Sequence, residues 1–101
     1  MKIGEKEYEL KYSLKRVESI ENAIGTPLMA AITSNRGMMS LNQLKNCFCY
    51  GLKEAGSDVF IPISSGQKIF EQALNEHGYA WIVSEVVDSL QRDCPFFFQT
   101  D

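Results

Sequence analysis

The chain has 101 residues, 45% hydrophobic and 23% charged, which suits one folded domain and excludes both a two-core protein and a disordered chain. A formal net charge of -3 argues against nucleic acid as a partner, since that needs clustered Lys and Arg against phosphates. No apolar run approaches the roughly 18 residues that cross a bilayer, and the opening Met1-Lys2-Ile3-Gly4-Glu5 lacks a signal-peptide core, so a cytoplasmic protein with no membrane partner is expected.

Residues 1–12 read as a short β-hairpin. Ile3 precedes a Gly4-Glu5 turn, and Tyr8, Leu10 and Tyr12 then alternate with Glu7, Glu9 and Lys11, a period of two that separates an apolar face from a charged one. A lone hairpin is marginal in water, so this one must rest on helices. Ser13 is a fair N-cap for the first helix, whose Leu14, Val17, Ile20 and Ile24 form one stripe before Gly25 stops it. Thr26 is predicted to cap a short second helix with Pro27 in its first position; Leu28, Met29, Ala31 and Ile32 are its apolar residues, and it ends near Asn35-Arg36-Gly37. Ser40 caps a third helix carrying Leu41, Leu44, Phe48 and Leu52, closed by Gly56.

Residues 57–64 form a link in which Val59, Phe60, Ile61 and Ile63 tack the chain onto the core around Pro62. Ser64 or Ser65 opens a fourth helix, with Ile69, Phe70, Ala73 and Leu74 inward, that ends at His77-Gly78. A fifth runs from Tyr79 to Arg92 with Ile82, Val83, Val86, Val87 and Leu90 inward and Glu85, Asp88 and Arg92 outward; Pro95 prevents its continuation. The expected fold is α+β and mostly α: one domain over 1–101, with a hairpin at 1–12, about five short helices in a compact bundle over 13–92, and an aromatic tail at 93–101.

The chemical inventory is thin. Residues 1–22 balance five basic against five acidic groups, whereas residues 56–101 hold Lys68 and Arg92 against seven acids. That half would repel phosphates and attract a basic peptide, or simply be a solvated face. Cys47, Cys49 and Cys94 are odd in number and lack any Cys-x-x-Cys spacing, so buried or half-buried structural thiols are expected and no metal site. His77, the single histidine, stands at a helix end, where a cation suits the dipole without any catalytic role. No Gly-rich phosphate loop or Gly-x-Ser-x-Gly elbow occurs, and neither catalytic residues nor a cofactor are expected.

Two clusters stand out as binding candidates. Met29, Met38 and Met39 gather around the second helix and its exit; flexible thioethers suit either a surface that accepts several sequences or the filling of core gaps. Phe96, Phe97 and Phe98 follow Pro95 and cannot all face one way, so the tail either folds back on its own domain or docks on a partner.

The order of elements carries a resemblance. A charged hairpin, Ile3-Gly4-Glu5-Lys6-Glu7-Tyr8-Glu9-Leu10, feeds a helix containing Ile20-Glu21, followed by Gly25-Thr26-Pro27-Leu28 and by a third helix closing on Leu52-Lys53-Glu54-Ala55-Gly56. Over about residues 1–92 this resembles the small tail assembly chaperones of long-tailed bacteriophages, gene-transfer agents and prophages. The Cys94-Pro95-Phe96-Phe97-Phe98 stretch departs from that pattern. The resemblance implies a non-enzymatic protein of the bacterial host cytoplasm that binds the helix-rich tape measure protein before the tail tube polymerises, and is absent from the mature virion. Tail tube protein and a second copy of the chain are further partners it allows. A helix-in-groove contact would cover apolar stretches of such a partner. The alternative is a small helical DNA-binding regulator of phage or prophage genes, with Arg36-Gly37 as the turn, Lys45 and Lys53 toward phosphates, and Asn42, Gln43 and Asn46 as base readers.

Overall fold

The alternation after Gly4 produces an antiparallel hairpin of β1 (Lys2–Ile3) and β2 (Lys6–Leu10), with Lys2 opposite Glu7 and Ile3 opposite Lys6. The structure is a computed structural model that describes residues 1–98 and, at Asn35, the backbone alone. The polar end of the expected tail, Gln99 to Asp101, lies outside the described residues. Ile3, Tyr8, Leu10 and Tyr12 are buried, so the apolar face of the hairpin does rest on the helices. These are α1 (Leu14–Ile24), α2 (Leu28–Thr33), α3 (Leu41–Gly51), α4 (Ile63–His77) and α5 (Tyr79–Asp93), with 3-10 turns at Ser34–Gly37 and Pro95–Phe97. The molecule is a mostly helical α+β domain of 42 × 27 × 22 Å.

Its central element is α3, which packs against α1, α4 and α5. Ser40 starts α3 with a reciprocal capping box, its hydroxyl accepting from the Gln43 N–H while the Gln43 carboxamide accepts from the Ser40 N–H. Leu44, Cys47, Phe48 and Cys49 are buried, and Phe48 meets Phe70 of α4 at a ring separation of 5.6 Å. Ile20 of α1, Leu28 of α2 and Ile82, Val86 and Leu90 of α5 complete the core, all with no solvent exposure.

The close of the third helix differs from expectation. Helix α3 ends at Gly51, and Leu52–Glu54 forms a third strand, β3, which pairs antiparallel with β2 through Leu52 to Leu10 and Tyr8 to Glu54. Leu52 continues the helical spacing of Leu44 and Phe48, and it is buried in the strand as well. Apolar periodicity therefore does not separate the two outcomes. Two long-range contacts do: the Gly51 carbonyl accepts from the Lys11 N–H at 2.9 Å, and the Tyr12 hydroxyl donates to the Cys47 carbonyl at 2.7 Å. Cross-strand ion pairs Lys53–Glu9 (3.1 Å) and Lys6–Glu54 (3.4 Å) then fix the register.

Gly51 is needed for space. A Cβ there would stand 2.7 Å from the Tyr12 ring. Replacing a helical glycine with alanine ordinarily stabilises by up to about 1 kcal/mol. Here overpacking reverses the sign, and Gly51→Ala is expected to cost about 1–3 kcal/mol in a urea titration; a gain in stability would refute the close approach.

Four smaller expectations are corrected. Leu14 and Leu41, the first members of their stripes, are 61% and 57% exposed because the first turn of each helix projects past the core. Thr26 does not cap α2: Pro27 is its N-cap, and the Leu28 N–H donates to the Glu21 carboxylate at 2.7 Å. Helix α4 starts at Ile63 behind Pro62, ahead of both candidate serines. In the link, Phe60, Ile61 and Ile63 are half-buried, but Val59 is exposed because Phe60 and Ile61 turn in to β3 through the Lys53–Phe60 bridge and the Ile61 N–H to Leu52 carbonyl bond.

Candidate functional site

The six candidate residues do not form one site. Met39 is 4% exposed and belongs to the core: its sulfur lies 4.0 Å from Cys47 Sγ, and its carbonyl accepts from the Tyr79 hydroxyl at 2.6 Å. Met29 is half-buried on α2, and Met38, 63% exposed, is the one methionine of the three that fully faces solvent. At the other end of α5, Phe97 and Phe98 pack against the core while Phe96 stays 50% exposed. Pro95 turns the chain back on the helix end, with the Phe97 N–H donating to the Cys94 carbonyl and the Phe98 N–H to that of Pro95. The methionine group adjoins Tyr79 and the phenylalanines follow Asp93, so the length of α5, roughly 20 Å, separates them.

A concave surface that neither cluster supplies lies between α3 and α4. These helices run antiparallel. Gly66 of α4 packs on Cys49, where an added Cβ would stand in ordinary contact with the thiol at 3.4 Å, and the pair opens toward the start of α3. The opening is a groove of about 530 Å³ lined by Leu41, Asn42 and Lys45 on one wall and by Gln67, Phe70, Glu71, Leu74 and Asn75 on the other. Phe70 and Leu74 supply an apolar floor, the amides a polar rim. Phe70 and Leu74 face inward, as their stripe predicts, whereas Leu41, expected in the core, lies on the rim. A helical stripe shows which side faces inward, whereas the opening between two helices depends on where they touch, here near the end of α3 and the start of α4 at Cys49 and Gly66.

Two of the seven acids of the C-terminal half hold the hairpin in place. Glu76, near the end of α4, accepts from the Gly4 N–H with both carboxylate oxygens (2.9 and 3.1 Å), and His77 Nε2 donates to the Lys2 carbonyl at 2.8 Å while its ring stacks on Trp81 at 3.9 Å. That backbone bond, with a second from Gln72, holds the Glu76 carboxyl below its ordinary range. At the far end of β2, Asp93 accepts from the Tyr12 N–H at 2.9 Å and pairs with Arg92, which donates to the Leu10 carbonyl. Burial alone would raise the Asp93 pKa, but the Arg92 and Tyr12 hydrogen bonds and the charges of Arg92 and Lys11 bring it down to about 2. Carboxylates at helix C-termini oppose the dipole. That local misfit was a readable sign that both acids are employed elsewhere.

Cys47, Cys49 and Cys94 are free and buried, as the spacing implied. Burial pushes the Cys47 thiol up to about 12 and Cys49 to about 11, leaving the nucleophilic thiolate scarce. Among the described residues, no three His, Cys, Asp or Glu side chains gather as metal ligands, and no helix is long and apolar enough to cross a membrane. The supposed recognition helix is α3, which is built into the core on three sides, and Lys53 leaves it for β3, where it pairs with Glu9 and donates to the Ser57 carbonyl. No family model, no curated protein and no solved structure matches the chain.

Proposed function

We propose that this protein is a phage tail assembly chaperone that binds the tape measure protein during tail assembly and acts by covering its surface, without catalysis. The observation that carries this reading is the behaviour of the stretch on which the resemblance rests. Ile20 and Leu28 are fully buried, Gly25 takes the left-handed conformation that ends α1 (φ 72°), Pro27 starts α2, and Glu21 reaches across to cap it at Leu28. Each residue of Ile20-Glu21 and Gly25-Thr26-Pro27-Leu28 except Thr26 thus has a part in one α1–α2 corner, which supports reading the stretch as a unit. The Leu52-Lys53-Glu54 part of the resemblance weighs less, because it is a strand here.

The exposed apolar side chains suit a long partner. Met38 and Phe96 stand at opposite ends of α5, a spacing that a helical partner laid along the domain would bridge and a small ligand would not. Co-expression with the tape measure protein of the same phage or prophage, followed by pull-down, tests the reading. The expected result is a soluble complex that Met38→Ser and Phe96→Ser each weaken without moving the melting temperature, since both side chains already face water. Removal of residues 95–101 is expected to lower the melting temperature too, because Phe97 and Phe98 leave the core with it. A tape measure protein that stays soluble alone and never co-purifies would sink the chaperone reading.

A further inference from the structure

The α3/α4 groove has a charge pattern that complements itself. Lys45 stands on the α3 wall and Glu71 on the α4 wall. They are level with each other, because the antiparallel helices set Phe48 beside Phe70 and Cys49 beside Gly66. Neither takes part in an ion pair among the described residues. Leu41 on the same rim is 57% exposed, and Met38 just before it 63%.

We propose that this groove is a two-fold interface between two copies of the chain. A two-fold interface brings the same patch of both subunits together, so each residue must find its complement within its own patch. A rotation about an axis midway between Lys45 and Glu71 does this: Lys45 of each copy lies over Glu71 of the other. The same rotation lays each exposed Leu41 on the facing α4, about one helical turn from Glu71, at the level of Leu74 and Asn75. The two antiparallel helix pairs then pack face to face as a two-layer, four-helix arrangement. A foreign peptide would have to bring an acid and a base in the right order, whereas a second copy carries both by construction. The lining residues span only about two helical turns, so the interface is at the small end of the range and the dimer is a weak, concentration-dependent one. It does not require a tape measure partner, and it leaves Phe96 and the α5 C-terminus free.

Sedimentation velocity of the full-length protein from about 5 µM to about 500 µM at low ionic strength is the test, with the screening of surface pairs by salt as a check. The mass is expected to rise from one chain to two. Lys45→Glu and Glu71→Lys should each move the midpoint upward by roughly tenfold or more through like-charge contact, and the double exchange should restore it. Leu41→Gln, which leaves the charges alone, should weaken association as well. All three substituted positions are exposed or half-exposed, so thermal melts of the four variants should match the parent. A protein that stays monomeric throughout overturns the proposal, as does a dimer indifferent to the single charge reversals or a double exchange that stays monomeric.

Discussion

Replacing Ile20 or Val86 with Asp is expected to abolish the cooperative thermal transition. Both side chains are fully buried, Ile20 from α1 and Val86 from α5, and both sit in the single cluster that joins every helix to the hairpin. An unpaired carboxylate there costs several kcal/mol in desolvation even after relaxation, on top of the lost apolar contacts and the shape mismatch. A domain of this size has about 5–15 kcal/mol in hand. Leu14→Asp is the control. Leu14 belongs to the same sequence stripe as Ile20 but is 61% exposed, so its change should stay within about 0.5 kcal/mol of the parent. Circular dichroism melts decide it, and a melting temperature for either buried variant within a few degrees of the parent would show that the core is elsewhere.

Asp93→Asn is expected to remove about 2 kcal/mol at neutral pH and to take an acid transition with it. The Asp93 side chain is 4% exposed and binds its proton far less readily folded, at about 2, than in the open chain, at 3.8. Its contribution is therefore complete above 3.8. As the pH falls from there toward about 2, the unfolded chain takes up the proton first and the contribution disappears. The parent should lose stability across that window in urea titrations at stepped pH, and the Asn variant should lose less. The variant also leaves Arg92 without its carboxylate and weakens the Tyr12 N–H bond, so the α5 end of the hairpin should exchange its amides faster than the Gly4 end. Equal acid profiles for the two proteins would show that Asp93 is not the anchor.

Local chemistry sufficed for much of this protein. The alternation of Tyr8, Leu10 and Tyr12, the caps at Ser13 and Ser40, the stops at Gly25 and His77-Gly78, and the inward faces of α4 and α5 are all set within a few residues of themselves, so they could be read from the chain. So could the burial of three thiols with no metal-ligand spacing. The binding candidates were legible only in part. A phenylalanine triplet after proline must divide between core and solvent, but three methionines around a short helix carry no sign of which will face in, and Met39 did. Tertiary structure alone decided the rest. Leu52 is buried as strand or helix, and hydrogen bonds from outside the helix choose the strand, those of Lys11 and Tyr12 from 35 or more residues away and that of Ile61 to the Leu52 carbonyl. Glu76 and Asp93 become hairpin anchors because docking brings unpaired N–H groups to two helix ends. The groove exists because α3 and α4 touch at Cys49 and Gly66 while Leu41 and Asn75, toward the other end of the pair, line an opening. Periodicity says which side of an element is apolar; where that side comes to rest depends on partners distant in sequence, whose hydrogen-bonding and packing demands are met only once the chain has closed on itself.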